Sequence, residues 1–131
     1  MTPVLNAFGL VVADMATSLA FYRLLGLEFD DGADDAPHVE TALGGGIRLM
    51  WDSHATIKSF HPEFTPPGPD GARISLAFDC GSPAGVDAAY RALTGAGHPG
   101  EHEPFDAPWG QRYAVVRDPD GNGVDLYAAS A

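Results

Sequence analysis

The sequence predicts an α+β fold made of two tandem βαβββ modules, and three observations predict it. First, a short apolar run followed by a capped helix occurs twice, with AFGLVVA before Asp14 and RISLAFDC before Ser82. Second, Asp14 to Tyr22 and Ser82 to Tyr90 are each eight residues apart, so one offset of 68 aligns the caps and also Tyr22-Arg23 with Tyr90-Arg91. Third, GGGIRL at 44–49 aligns with GNGVDL at 121–126 at an offset of 77. Two matches in the same order favour duplication over chance. The offsets differ by nine, which places an insertion in the second half, at EHEPFDAPWG (101–110).

The elements follow in order. Ala7 to Ala13 is an apolar run of strand length. Asp14 is a candidate N-cap for MATSLAFYRLL, because its carboxylate can accept from the open amides of the first turn. Gly26 is placed to end that helix. Leu27 to Asp30 is a second strand candidate. Val39 to Leu43 and Ile47 to Trp51 flank three glycines, which suggests a hairpin. In the second half Arg73 to Cys80 is an apolar strand. Ser82 is a candidate N-cap with Pro83 at the first helical position, and the helix runs to Gly95 or Gly97. A loop containing FDAPWG precedes the strand RYAVVR, and DPDGNG turns the chain into VDLYA. Between the halves, DSHATIKSFHPEFTPPGPDGA carries four prolines and two glycines in its second part, which marks a linker. Its Phe60 and Phe64 pack on the fold or over a ligand, since a bare spacer needs no aromatics. The chain thus reads as one domain, with module one over about 4–53, the linker over about 54–72 and module two over about 73–131.

Composition bounds the function. A length of 131 residues fits one compact domain, and 45% apolar with 19% charged residues is globular. A net charge of −11 with only 7 Lys+Arg argues against a nucleic-acid partner, which needs a basic face. The acidic surface attracts cationic ligands or serves solubility alone. Cys80 is the only cysteine, so no intrachain disulfide or thiolate metal cluster is expected, and it reads as a small core residue. The start MTPVLNAFGLVVADM has no basic n-region and no long apolar stretch, so no signal peptide is expected. No run approaches the ~18 apolar residues of a membrane span. A cytoplasmic protein with no membrane partner is the expectation.

Three segments, DMATSLAFYRLLGLEF (14–29), VDAAYRAL (86–93) and PWGQRYAVVRDPDGNGVDLYA (108–128), resemble the vicinal-oxygen-chelate superfamily of glyoxalases, bleomycin resistance proteins and extradiol dioxygenases. The most specific part is the turn Asp118-Pro119-Asp120-Gly121-Asn122 before the last strand. Taken alone, DPDGNG is an ordinary turn. The resemblance implies that the strands of the two modules curl into a cup-shaped mixed sheet with the helices outside, enclosing a ligand cavity. It also implies a homodimer.

Metal-dependent members of that superfamily bind one divalent ion through His or Glu at four equivalent positions. The first lies seven residues before the helix cap, which is Ala7 here, and the offset of 68 makes its partner Ser75. The final-strand position is Asp125, and the offset of 77 makes its equivalent Arg48. Only Asp125 is an ordinary ligand, and a guanidinium at Arg48 would repel a dication. No metal and no other cofactor is therefore expected, and Arg48 and Asp125 could instead face each other as an ion pair in the metal's place, which the sequence leaves open. A one-residue slip of strand register would flip every side chain and reopen the question. His54, His61, His98 and His102 fall in expected loops and His38 starts a strand. No two histidines have the spacing of a helix-borne metal motif, and no G-x-S-x-G elbow occurs. No catalytic residue is expected, although Asp125 or Asp106 as a metal-free general base stays open.

Strand alternation sorts the cup lining. Ala7, Gly9 and Val11, with Ser75, Ala77 and Asp79, face the cup, while Phe8, Leu10, Val12, Leu76 and Phe78 face the helices or core. Arg48, Met50 and Asp52 share one face, as do Asp125 and Tyr127, and Trp51 alternates to the helix side. Trp109, beside Phe105 and Asp106, either stacks on a planar ligand or fills a dimer interface. The candidate ligand-binding residues are Trp109, Phe105, Asp106, Phe64, Met50, Arg48, Asp125 and His38. The expected function is that of a metal-independent small-molecule binding protein, closest in type to the metal-free antibiotic-binding resistance proteins. It would sequester a drug-like natural product, aromatic or cationic. The rival expectations are a lyase, isomerase or dioxygenase of the same fold, and a module of unassigned role.

Overall fold

The computed structural model describes residues 2, 4–60, 62–66 and 75–130. The elements are β1 (Ala7–Val12), α1 (Met15–Leu24), β2 (His38–Gly44), β3 (Ile47–Ser53), α2 (His54–Phe60), β4 (Ser75–Asp79), α3 (Pro83–Gly95), β5 (Gly100–Ala107), β6 (Gln111–Arg117) and β7 (Gly123–Ala129), with a 3-10 turn at Ala33–Asp35. Two sheets and three α-helices among the described residues make the fold mixed α+β. The chain divides into two units, Met1–Pro66 and Pro67–Ala131. Among the described residues, no helix is long and apolar enough to cross a membrane.

In the first unit the strand order is β1-β3-β2, with β1 parallel and β2 antiparallel to β3. The Asp14 carboxylate caps α1 by accepting from the Thr17 amide at 2.8 Å. Gly26, at φ +92°, ends the helix, and the Leu27 amide reaches back to the Tyr22 carbonyl at 3.1 Å. That left-handed cap satisfies a carbonyl the helix would leave open. Met15, Leu19, Phe21 and Tyr22 of α1 are buried, as are Leu49 and Trp51 of β3. Trp51 has Tyr22 edge-on at 5.4 Å and Phe29 edge-on at 5.0 Å. The hairpin between β2 and β3 turns on Gly45 and Gly46, both at positive φ, which side-chain-bearing residues rarely tolerate.

Two expectations for this half are corrected. Leu27 to Asp30 is irregular rather than a strand. Positive φ at Gly26 and Gly32 bends the chain at both sides of it. The segment meets β2 through the Thr41 hydroxyl, which donates to the Glu28 carbonyl at 3.3 Å, while Phe29 turns inward onto Trp51. The expected linker opens as a helix, α2. Ser53 Oγ accepts the Thr56 amide at 3.1 Å and Thr56 Oγ1 donates to the Pro37 carbonyl at 2.8 Å, which ties the first turn to the sheet. The prolines further on had masked that local cap. His61 and residues 67–74, including the expected strand start at Arg73, lie outside the described residues.

In the second unit the order is β4-β7-β6-β5, with β4 parallel to β7 and the other pairs antiparallel. Ser82 Oγ caps α3 by accepting the Gly85 amide at 3.0 Å, with Pro83 in the first turn. The end repeats that of α1: Gly97 has φ +97° and the His98 amide reaches the Leu93 carbonyl at 3.1 Å. Val86 and Leu93 of α3 are buried, as are Ala114, Val116, Val124, Leu126 and Ala128 of β6 and β7. Burying each Val or Leu contributes roughly 1.5–3 kcal/mol. Cys80 is half-buried rather than a core residue.

The expected loop in EHEPFDAPWG is also corrected. Gly100 to Ala107 is the edge strand β5, hairpinned to β6 across a turn at Trp109 and Gly110. The register shifts twice, between Gly100 and His102 and between His102 and Phe105. Charged residues and a proline at 101–104 are what a sheet edge tolerates and what hides its alternation. The insertion therefore completes βαβββ in the second module.

Candidate functional site

Each sheet has a face turned away from α1 or α3, and the sequence-predicted site residues concentrate there. In the first unit the ladder sets three rows across β2, β3 and β1: His38, Asp52 and Val11; Glu40, Met50 and Gly9; Ala42, Arg48 and Ala7. Three of these side chains were expected in the site, namely His38, Met50 and Arg48. Glu40 was missed, although its place two residues after His38 on one strand was the available signal.

The four charged groups form one chain of contacts. Arg48 Nη1 donates to Glu40 Oε1 at 2.8 Å. Glu40 Oε2 faces His38 Nε2 at 2.7 Å, and Asp52 Oδ1 faces His38 Nδ1 at 2.5 Å. Both imidazole nitrogens can donate to the flanking carboxylates only in the imidazolium form, so this arrangement favours the protonated ring. The bonds to Glu40 and then Asp52 push the His38 pKa up, and the bond from His38 holds the Glu40 carboxyl below its ordinary value. The ring stays 40% exposed, so water screens these charges. A hollow of about 180 Å³ adjoins His38 and Glu40, with Asp30 and Asp31 in its wall.

In the second unit Phe105, Tyr113, Tyr127 and Asp79 form one row, and His102, Val115, Asp125 and Ala77 the next. Tyr113 donates its phenol hydrogen to Asp125 Oδ2 at 2.5 Å. Burial first, and then this bond to a carboxylate, push the Tyr113 pKa up to about 12. Three rings meet edge to face: Trp109 on Tyr113 at 5.4 Å, Phe105 on Trp109 at 6.0 Å and Phe105 on Tyr113 at 6.4 Å. His102 leans on Phe105 at 4.3 Å. The Trp109 indole N–H donates to Gln111 Oε1 at 2.8 Å, yet the residue is 59% exposed.

The structure therefore brings Phe105, Trp109 and Asp125 together, joined by Tyr113, which the sequence reading had passed over. Alternation in RYAVVR already put Tyr113 and Val115 on one face; its place opposite Tyr127 needed the strand pairing. Asp106 does not join them. It alternates to the α3 side, where it pairs with Arg112 at 3.2 Å beside Asp87. Phe64 lies beyond α2 with its ring 5.7 Å from His54. Within their own units, Arg48 meets Glu40 and Asp125 meets Tyr113.

The family's metal positions can be tested on donor chemistry. Ala7 lies beside Arg48. Asp125 lies beside Ala77, and Ser75 beside Gly123, two residues out of step with the Ala7–Arg48 pair of the first unit but on the same face. Neither alanine has a donor, Arg48 is cationic, and Asp125 already accepts from a phenol. No group of three or more His, Cys, Asp or Glu side chains among the described residues is arranged around a common point for an ion. These positions do not fit a divalent ion, and no step below runs through one.

Comparison with known proteins agrees with the fold. The family model of the Glyoxalase/Bleomycin resistance protein/Dioxygenase superfamily matches residues 4–126, and the chain belongs to that superfamily. It is similar to the crystal structure of a glyoxalase/bleomycin resistance protein/dioxygenase from Nocardioides, at 23% identity over 99% of this chain and 85% of that one, with a TM-score of 0.73. A glyoxalase-related enzyme from Fulvimarina pelagi matches at 16% identity, 97% and 88% coverage and a TM-score of 0.78. A lactoylglutathione lyase from Agrobacterium tumefaciens matches at 21% identity, 98% and 95% coverage and a TM-score of 0.66. Identities this low establish the fold alone. No curated protein matches the sequence.

Proposed function

We propose that the protein is a metal-independent small-molecule binding protein that sequesters a drug-like natural product, in the manner of the metal-free antibiotic-binding members of its superfamily. The observation that carries this reading is the exposed Trp109 ring, set against half-buried Phe105 and Tyr113 beside the Asp125 carboxylate. Such a group offers ring faces and edges to a planar or cationic molecule. The chain's net charge of −11 raises the local concentration of cations. The same proposal takes the protein to be a homodimer in the cytoplasm, with neither nucleic acid nor membrane as partner.

The rival reading, a lyase, isomerase or dioxygenase, draws support from the fold shared with the lactoylglutathione lyase. Against it, His38 has both nitrogens engaged and holds no free base. The test is a tryptophan-fluorescence titration with bleomycins, mitomycins and enediynes. Truncating a buried aromatic anchor typically costs about 2 kcal/mol or more, so Trp109→Ala should weaken binding about thirtyfold. Its exposure predicts a change in folding stability within about 0.5 kcal/mol. The ligand should be recovered unchanged, and resistance in a sensitive host should follow expression level. A modified product formed over many turnovers overturns sequestration and makes the protein an enzyme.

A further inference from the structure

Arg48 stands where the family pattern places a metal donor, and its surroundings define a different recognition chemistry. Its cross-strand neighbours are Ala7 on β1 and Ala42 on β2, while one row further the Met50 side chain reaches over Gly9. The two alanines are too short to cover a guanidinium, and the Arg48 side chain is 44% exposed. Glu40 holds one corner through Nη1 at 2.8 Å. Glu40 is itself saturated, because its second oxygen faces His38, and His38 is in turn backed by Asp52. The row grips the guanidinium from one side only. Its Nε–H and Nη2–H edge has no partner among the described residues.

That free edge carries two parallel N–H groups, the geometry that matches the two oxygens of a carboxylate. The protein shows this grip elsewhere. Arg112 uses the same edge on Asp87, with Nε to Oδ1 at 3.0 Å and Nη2 to Oδ2 at 3.3 Å. We propose that Arg48 is the anchor for the carboxylate of a small monoanionic molecule, held by its Nε and Nη2 edge above the floor of Ala7 and Ala42, with Met50 alongside. The anion is singly charged because the chain's net charge of −11 opposes a polyanion. With His38 protonated, the charges of Arg48, Glu40, His38 and Asp52 cancel, and the unengaged guanidinium edge is the positive end of this chain of contacts. This assignment does not rest on the aromatic group around Trp109, and either can fail alone.

The experiment uses full-length ¹⁵N-labelled protein titrated with benzoate, with benzamide as the uncharged isostere. The Arg48 Nε–H resonance is followed, and Arg112 Nε–H, already engaged, is the internal reference. Hydrogen bonds to charged groups predict a preference for benzoate of about tenfold or more. The Arg48 signal should move and saturate with benzoate while that of Arg112 stays. Arg48→Gln should abolish the preference. Arg48→Lys keeps the charge and loses the fork, and should retain about a tenth of the affinity or less. Equal responses to benzoate and benzamide overturn the assignment, as do unsaturating shifts at both arginines. The wild-type titration decides even where a variant fails to fold.

Discussion

Replacing Asp125 by asparagine removes the charge beside the Tyr113 phenol and keeps an oxygen able to accept its hydrogen bond. The bond is 2.5 Å long, and burial together with this carboxylate raises the phenol from an ordinary 10 to about 12. A hydrogen bond to a charged acceptor is worth about 1.5–3 kcal/mol net and one to a neutral acceptor about 0.5–1.5 kcal/mol. The difference of about 1 kcal/mol or more corresponds to roughly one pKa unit. Asp125→Asn should therefore bring Tyr113 down by roughly one unit, but not to its ordinary value, because burial is the larger cause and persists. Site-resolved ¹³C NMR of the tyrosine Cζ atoms through alkaline pH reads this directly. The sign for stability follows from the raised pKa. The contribution is complete below pH 10 and is lost as pH rises from 10 to about 12, where the unfolded chain ionises first. A wild-type Tyr113 titrating near 10, or one unmoved by Asp125→Asn, would refute the account of this pair.

His38 should titrate above its ordinary 6.5 by NMR, and Glu40→Gln should lower it; its stabilisation is complete below 6.5 and fades as pH rises through the raised value, so a titration at or below 6.5 contradicts the clamp. Gly85→Ala should lower the melting temperature: a Cβ there would sit 2.2 Å from the Cys80 carbonyl oxygen, a backbone atom that cannot rotate away. The helix-propensity gain of about 1 kcal/mol is then outweighed by overpacking of about 1–3 kcal/mol, and a higher melting temperature would show the contact to be slack. Micromolar Zn²⁺ or Ni²⁺ should leave thermal unfolding unchanged, since a ligand of the native state stabilises by mass action; a rise of several degrees would reinstate a metal site. The proposed homodimer should sediment at twice 13.7 kDa at micromolar concentration, and a mass of one chain would remove it.

The signals that were legible in the sequence are local ones. The caps at Asp14 and Ser82 and the terminating glycines Gly26 and Gly97 act within a turn of their own helices. Alternation along β3 put Arg48, Met50 and Asp52 on one face and Trp51 on the other because side chains in a strand repeat every two residues. Strand β5 escaped because charges and a proline at a sheet edge erase that alternation, and Leu27 to Asp30 was over-read because an apolar start without a ladder partner looks the same as one with a partner.

By itself the sequence determined the duplicated module, the family it resembles, the ends of α1 and α3, and the face on which most candidate residues lie. The tertiary structure alone decided which side chains meet. Glu40 holds Arg48 from eight residues away, Tyr113 holds Asp125 from 12, and Arg112 holds Asp87 from 25. It also moved Asp106 off the aromatic face and set the β4–β7 register, which places Asp125 beside Ala77. The physical reason is that the face of a side chain is set by the backbone of its own strand, whereas its partner is set by the hydrogen-bond register between strands distant in the chain.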